Sequence, residues 1–231
     1  MSTAPRKKAG QYLLFGSRNS GSCAVECALE IAKAPCRIVD AATWRKKQDA
    51  AAFARLQRAN PLHQIPTLVC PDGTVLSESA AILIHLALAH PRSRLLPADA
   101  AARAQALRAL VFIAANCYSN IGIIDYPERW LGRSDKQANE RLRKGARQRL
   151  HRMWSVFAEG IAPKKPPSFL FSARQPGAAD ILTAVVSRWS GARKHLAKRH
   201  PALHELVLRV ESHPSLAAVF ERHWGQGTVS T

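Results

Sequence analysis

The chain has 231 residues, with 34 Lys and Arg against 16 Asp and Glu, a formal net charge of +18 at 47% hydrophobic content. That composition is ordinary for a globular protein, and the length fits one large or two small domains with a substantial core. No apolar run approaches the ~20 residues that span a bilayer, and Tyr12-Leu-Leu-Phe15 is too short for a secretory signal core, so a cytoplasmic protein without membrane partners is expected.

Residues 1–11 read as a disordered basic arm. Tyr12 to Phe15 is a short apolar strand, and Gly16-Ser-Arg-Asn-Ser-Gly-Ser22 is a polar loop that runs into a helix from Cys23 to Ala32. In that helix Val25, Ala28, Leu29 and Ala32 recur at the spacing of one buried face. Pro35 ends it and Cys36 to Val39 forms a second strand, so strand, helix and strand make a parallel βαβ unit. Asp40 to Ala59 is polar, Ala-rich and partly helical, with Trp44 and the basic cluster Arg45-Lys46-Lys47.

Asn60-Pro-Leu-His-Gln-Ile-Pro-Thr-Leu-Val69 reads as a loop followed by a strand, with Pro66 where a strand tolerates a missing N–H. Pro71-Asp72-Gly73 is a tight turn and Thr74 to Leu76 pairs back. Ser77, Glu78 and Ser79 then start a helix at Ala80. His90 to Asp99, with two prolines, loses helical periodicity and reads as a linker. The remainder is helical in pattern. One helix runs from Ala100 to about Ile121 with Leu107, Leu110, Val111 and Ala114 in register. A second runs from Ser134 to Glu159, a buried one covers Ile181 to Trp189, and two short ones open at Pro201 and Pro214. Gly225 to Thr231 is a tail. There is no internal repeat.

The segment from Asn60 to Ser79 resembles the glutathione-binding segment of the glutathione S-transferase family: Asn-Pro, then Ile65-Pro66-x-Leu68, then Asp72-Gly73, then a hydrophobic residue and an acidic residue followed by Ser. One extra residue, Ser77, separates Leu76 from Glu78-Ser79. Tyr126-Pro-Glu-Arg129 and His213-Pro-Ser-Leu216 also resemble bacterial members, and the likeness covers nearly the whole chain after residue 11. It implies an α/β thioredoxin-like domain over 12–90, a linker over 91–99 and an all-α helical-bundle domain over 100–224.

The resemblance further implies a cis peptide before Pro66 and glutathione as co-substrate. Glu78 and Ser79 would hold its γ-glutamyl end, with Gln64, Ile65 and Pro66 along its cysteinyl-glycine end, the Ile65 backbone pairing in strand fashion. Only the thiolate of glutathione is a good nucleophile, and a free thiol has a pKa near ~8.5. A hydrogen bond to sulfur and the positive end of a helix both lower that value. The loop before the first helix supplies both in relatives, and their Ser or Cys positions fall on Asn19, Ser20 or Gly21. Ser20 is the expected hydroxyl donor. Ser22, Ser17 and the Asn19 amide stand behind it, and Ser22 has the rival role of a helix cap.

Cys23 falls beyond the usual position and reads as a structural thiol. Were it to face the ligand, a glutathione-dependent reductase, peroxidase or isomerase would follow. A non-catalytic binding protein on the same fold is the other alternative. Tyr12 reads as packing. Arg18 would clamp a carboxylate or stand exposed, and His63 would reach the glycine carboxylate or stay on the surface. The electrophile is expected between the domains against Asn116, Tyr118 and Tyr126. In the family's capping box, Gly177 replaces the usual Ser or Thr three residues before Asp180, whose role is structural.

The five cysteines show no zinc spacing, and no metal is expected. The positive charge suits glutathione, a net anion. A nucleic-acid partner is not expected, because no nucleic-acid-binding motif is present and the run from Arg141 to Arg152 reads as a solvated helix face. The whole is read as a homodimeric detoxifying transferase that attacks a small electrophile with glutathione.

Overall fold

In a computed structural model, residues 10–42, 44, 49–132 and 135–225 are described. Most of the N-terminal arm, the cluster Arg45-Lys46-Lys47 and nearly all of the C-terminal tail lie outside them. Strand β1 (Tyr12–Gly16), helix α1 (Ser22–Ala32) and strand β2 (Cys36–Asp40) form the expected parallel unit, with Tyr12 opposite Cys36 and Gly16 opposite Asp40. Helix α2 (Ala50–Ala59) crosses to β3 (Thr67–Val69), which pairs antiparallel with both β1 and β4 (Val75–Leu76). The sheet order is β2-β1-β3-β4, and α3 (Ser79–Ala89) closes this half.

Alternation along β1 divides its side chains between two faces. Tyr12 and Leu14 enter the main core, whereas Leu13 and Phe15 pack with Leu56 of α2 on the opposite side. Tyr12 is thus a packing residue, and its hydroxyl meets His90 at 3.0 Å. Helix α1 lies deep: every residue from Ser22 to Leu29 is buried, against α3 and two later helices, Ala178–Val186 and Ala217–Trp224.

The helical half begins at α4 (Ala100–Phe112), which continues through a wide π turn (Ile113–Tyr118) into α5 (Ser119–Asp125). This continuous helix is long and apolar enough, by length and composition, to cross a membrane. That corrects the expectation that no apolar run approaches such a length, and a core helix satisfies the same pattern. Here Ala106, Ala109, Leu110, Ile113, Cys117, Ile121 and Ile124 are buried in the core. Val111, expected in the buried register, is exposed instead. The inward stripe is carried partly by alanines, whose small side chains let neighbouring helices approach, so side-chain size misplaces it.

Helices α6 (Lys136–Val156), α7 (Ala178–Val186), α8 (Ala192–Arg199), α9 (Pro201–Glu211) and α10 (Ala217–Trp224) follow. Helix α8 has no counterpart in the sequence reading. Five of its eight residues are Lys, Arg or His, which hides the apolar period, and it starts only because Ser190 and Gly191 turn the chain with positive φ. The helix expected to reach Trp189 stops at Val186.

One hydrophobic core runs from Leu14 and Leu68 of the sheet to Trp154, Val207 and Phe220 of the helices. Two buried carboxylates fasten this arrangement. Asp180 holds the segment before α7: its Oδ1 accepts from the Leu170 amide at 2.7 Å and its Oδ2 from the Gly177 amide at 2.9 Å. Only half of a capping box is present, since Gly177 has no side chain to return the bond. A Cβ there would sit 3.0 Å from the Leu95 carbonyl oxygen, which explains glycine where Ser or Thr would cap better.

Glu26 of α1 is the second, reached by His223 Nε2 at 2.8 Å and Arg222 Nη2 at 3.0 Å from α10. Burial alone would raise its pKa, but the hydrogen bonds and charges of His223 and Arg222 outweigh that and hold the carboxyl below its ordinary value. A depressed folded pKa gives stability that is complete above the unfolded value and is lost as pH falls through the folded one. Chemical denaturation should therefore show the wild type losing more stability than Glu26→Gln as pH falls below ~4.3, the ordinary Glu value. Parallel pH profiles for the two proteins would remove the clasp from the account.

Candidate active site

The loop between β1 and α1 holds three serines locked to one another. Ser20 Oγ donates to the Ser17 carbonyl at 2.8 Å and accepts from the Ser22 amide at 3.2 Å. Ser22 Oγ accepts from the Ser17 amide at 3.1 Å and lies 2.9 Å from Ser20 Oγ and 3.1 Å from the Ser17 carbonyl oxygen. Ser20 and Ser22 are buried, whereas Arg18 and Asn19 are exposed, Asn19 in the left-handed region at φ 58°. Ser20 and Ser22 each have one hydroxyl proton, and each of those protons has an acceptor inside the loop. The arrangement is redundant at one point: if Ser20 turned its proton outward, Ser22 could donate to the Ser17 carbonyl in its place.

The Ile65–Pro66 peptide is cis, as the family resemblance implies. Asn60 builds the turn that presents it. Its Nδ2 donates to the Gln64 carbonyl at 3.1 Å and to Thr67 Oγ1 at 2.9 Å, Thr67 Oγ1 donates to the same carbonyl at 2.7 Å, and Asn60 Oδ1 accepts from the Leu62 amide. Pairing of Thr67 with Phe15 sets this turn beside the end of β1, where the serine loop begins. Gln64 is exposed, Ile65 half-buried and Pro66 buried. His63, also at positive φ (53°), is exposed and packs edge-on against Phe53.

At the start of α3, Glu78 has φ 66° and ψ 111°, a backbone region that costs of order 1–3 kcal/mol for a non-glycine residue. Its carboxylate makes no cap bond and faces solvent, while the next residue is the reverse case. Ser79 is only 5% exposed and its Oγ has no hydrogen-bond partner among the described residues. A buried hydroxyl without a partner is costly, and this one stands at the positive end of a helix whose first amides are free to bind an anion.

Ser79 has company. A Cβ on Gly21 would lie 2.2 Å from the Tyr118 hydroxyl and 3.4 Å from Ser79 Oγ. Tyr118, from the π turn between α4 and α5, therefore reaches across to the first turn of α1, and Gly21 is glycine because the phenol takes the space of a side chain. The Tyr118 ring stacks on Trp189 at 5.8 Å and 17°. Burial, with the Glu78 and Asp125 carboxylates, pushes its phenol up to about 12, so it keeps its proton at neutral pH.

Ser20, Ser22, Ile65, Pro66, Glu78, Ser79 and Tyr118 thus belong to segments that meet around Gly21 and the end of β1. The geometry does not draw in the other two interdomain candidates. Asn116 is half-buried and its carbonyl accepts from Asn120; the Tyr126 ring lies under the Arg129 guanidinium at 3.9 Å. Cys23 is completely buried, 4.0 Å from Cys27 Sγ, and burial raises its thiol well above the ordinary value. Sequence reasoning missed three supporting parts: Asn60 and Thr67 as the brace under the cis peptide, and Gly21 as a point of close approach. A glycine between two serines was the one local signal for the last.

Residues 25–89 match the family model described as the glutathione S-transferase N-terminal domain. The match begins after the serine loop. The GST-like protein YncG of Escherichia coli K12 is 32% identical over 129 residues, 56% of this chain, and the aligned stretch spans 62% of that relative's own length. Among solved structures, a glutathione transferase homolog from Sulfitobacter with bound glutathione superposes with a TM-score of 0.77 at 21% identity, covering 92% of this chain and 98% of that one. A sphingomonad glutathione S-transferase complexed with glutathione gives 0.68 at 22%, covering 91% and 98%.

Proposed function

We propose that this chain, whose residues 25–89 match the model of the glutathione S-transferase N-terminal domain and whose fold is that of the glutathione transferases, binds glutathione and activates its thiol for attack on a small electrophile. The observation that carries the reading is the unpartnered, buried Ser79 hydroxyl at the head of α3, beside the strained Glu78. A γ-glutamyl carboxylate would satisfy it, and Glu78 would take the ligand's ammonium group. Gln64 and the Ile65 backbone would pair with the cysteinyl-glycine portion by strand addition, with Arg18 and His63 within the exposed rim that could meet its carboxylates. The structures superposed above that were solved with glutathione favour the same ligand.

For the chemistry, Ser20 turns its hydroxyl from the Ser17 carbonyl to the sulfur, and Ser22 takes over that carbonyl and keeps the loop closed. The amino end of α1 adds its positive potential. Asn19 and Ser22 stand behind Ser20 in this role. The electrophile approaches from the helical half, 100–224, with a homodimer as the working assembly. The buried Cys23 gives no support to a redox reading of this loop.

A second reading has one observation behind it: both serine protons already have acceptors, as a binding protein without catalysis would allow. Conjugation of a chromogenic aryl halide by the purified protein separates the two. Glutathione-dependent turnover above background, retained in Cys23→Ser, is the expected result. Tight glutathione binding with no turnover across several electrophile classes would leave only the binding protein.

A further inference from the structure

We infer that Tyr118 is a specificity-determining residue for the γ-glutamyl carboxylate, its hydroxyl and Ser79 Oγ being two donors from opposite halves of the chain that grip the same ligand group. This rests on the glutathione reading above and adds a donor from the helical half, at a position first assigned to the electrophile. Both hydroxyls lie within 3.4 Å of the place a Gly21 side chain would occupy. Neither has a hydrogen-bond partner among the described residues. Two convergent donors at a helix amino end match the two oxygens of a carboxylate better than one sulfur atom.

Three features fix the phenol there. Stacking on Trp189 sets the ring plane, the π turn carries residue 118 out of the ordinary α register, and the missing Cβ of Gly21 leaves the hydroxyl its room. Burial keeps the phenol protonated, so it approaches an anion only as a donor. The sulfur is left to the serine loop. A ligand without the α-carboxylate would gain nothing from Tyr118.

The test compares glutathione with γ-aminobutyryl-cysteinyl-glycine, the same tripeptide lacking the α-carboxylate, by calorimetric titration of wild type, Tyr118→Phe and Ser79→Ala. Phenylalanine keeps the stack on Trp189, so the thermal midpoint of Tyr118→Phe serves as the check on folding. Tyr118→Phe is expected to weaken glutathione about tenfold, the effect of one hydrogen bond to a charged group, and to leave the decarboxylated analogue unchanged. Ser79→Ala should show the same selectivity. Unchanged glutathione affinity in Tyr118→Phe, or equal weakening of both ligands, overturns the assignment while the glutathione reading stands. No binding of glutathione to the wild type overturns both.

Discussion

Replacing Asp180 by alanine should destabilise the protein by about 3 kcal/mol, because one buried and one part-buried amide N–H group lose their acceptor and each such loss costs ~1–3 kcal/mol. Asp180 is 1% exposed, and its two carboxylate oxygens accept from the amides of Leu170 and Gly177. Against a typical total of about 5–15 kcal/mol this is a large fraction. The thermal midpoint should fall by roughly 10 °C in a chain of this size.

The pH dependence has the opposite sign to that of Glu26. Burial pushes the Asp180 carboxyl up to about 6 although the backbone amides of Leu170 and Gly177 pull it down. A raised folded pKa gives stability that is complete below the unfolded value, ~3.9, and is lost as pH rises through 6. The gap between wild type and Asp180→Ala should therefore narrow from acid to neutral pH. A gap that widens, or a midpoint within ~2 °C of wild type at pH 7, where one kcal/mol already moves it that far, would show that Asp180 is not the fastening described.

Ser20→Ala should lower kcat/KM for conjugation about 100-fold, the usual effect of removing one donor from a charge-stabilising site. The mechanism predicts where the loss appears. Without the hydroxyl, the thiol of bound glutathione returns toward its free pKa of ~8.5, so the acid limb of the pH–rate profile, where the thiol loses its proton, should move to higher pH while glutathione affinity changes little. Ser22→Ala should act differently. It removes the acceptor of the Ser17 amide and the hydroxyl that would replace Ser20 on the Ser17 carbonyl, so both stability and rate should fall. Ser20→Ala with undiminished kcat/KM would pass the role to another donor of the loop.

The parallel βαβ unit, the hairpin and the cis-proline turn were legible because each rests on local chemistry or a local motif. Pro35, Pro66 and the Pro71-Asp72-Gly73 turn punctuate the first half, and between them periods of two and of three to four separate strands from helix. The second half was legible in outline only. Val111 looked inward by size and proved exposed, while Ala106 and Ala109 line the core, since helix packing selects for close approach as much as for bulk. Helix α8 was hidden by its basic residues, and its place is set by tertiary contacts: Ser155 of α6 lies within hydrogen-bond reach of both His195 and His200.

For the site, residues that act through their own motif were readable and those that act across the fold were not. Glu78 and Ser79 follow the turn in sequence, so a local pattern finds them. That Tyr118, 39 residues later, shares their corner depends on a π turn, a stack on Trp189 and an absent Cβ at Gly21. No local periodicity encodes that conjunction.

The central claim is that the buried Ser79 hydroxyl lacks a partner because its partner is a ligand. Removing an unsatisfied buried hydroxyl should leave stability unchanged or improved, whereas removing a ligand contact should weaken binding. Calorimetric titration of wild type and Ser79→Ala with glutathione, alongside their thermal midpoints, measures both. The account predicts affinity at least about tenfold weaker in the variant, at a midpoint equal to or above that of the wild type. Equal affinities, or a wild type that binds no glutathione, would contradict it.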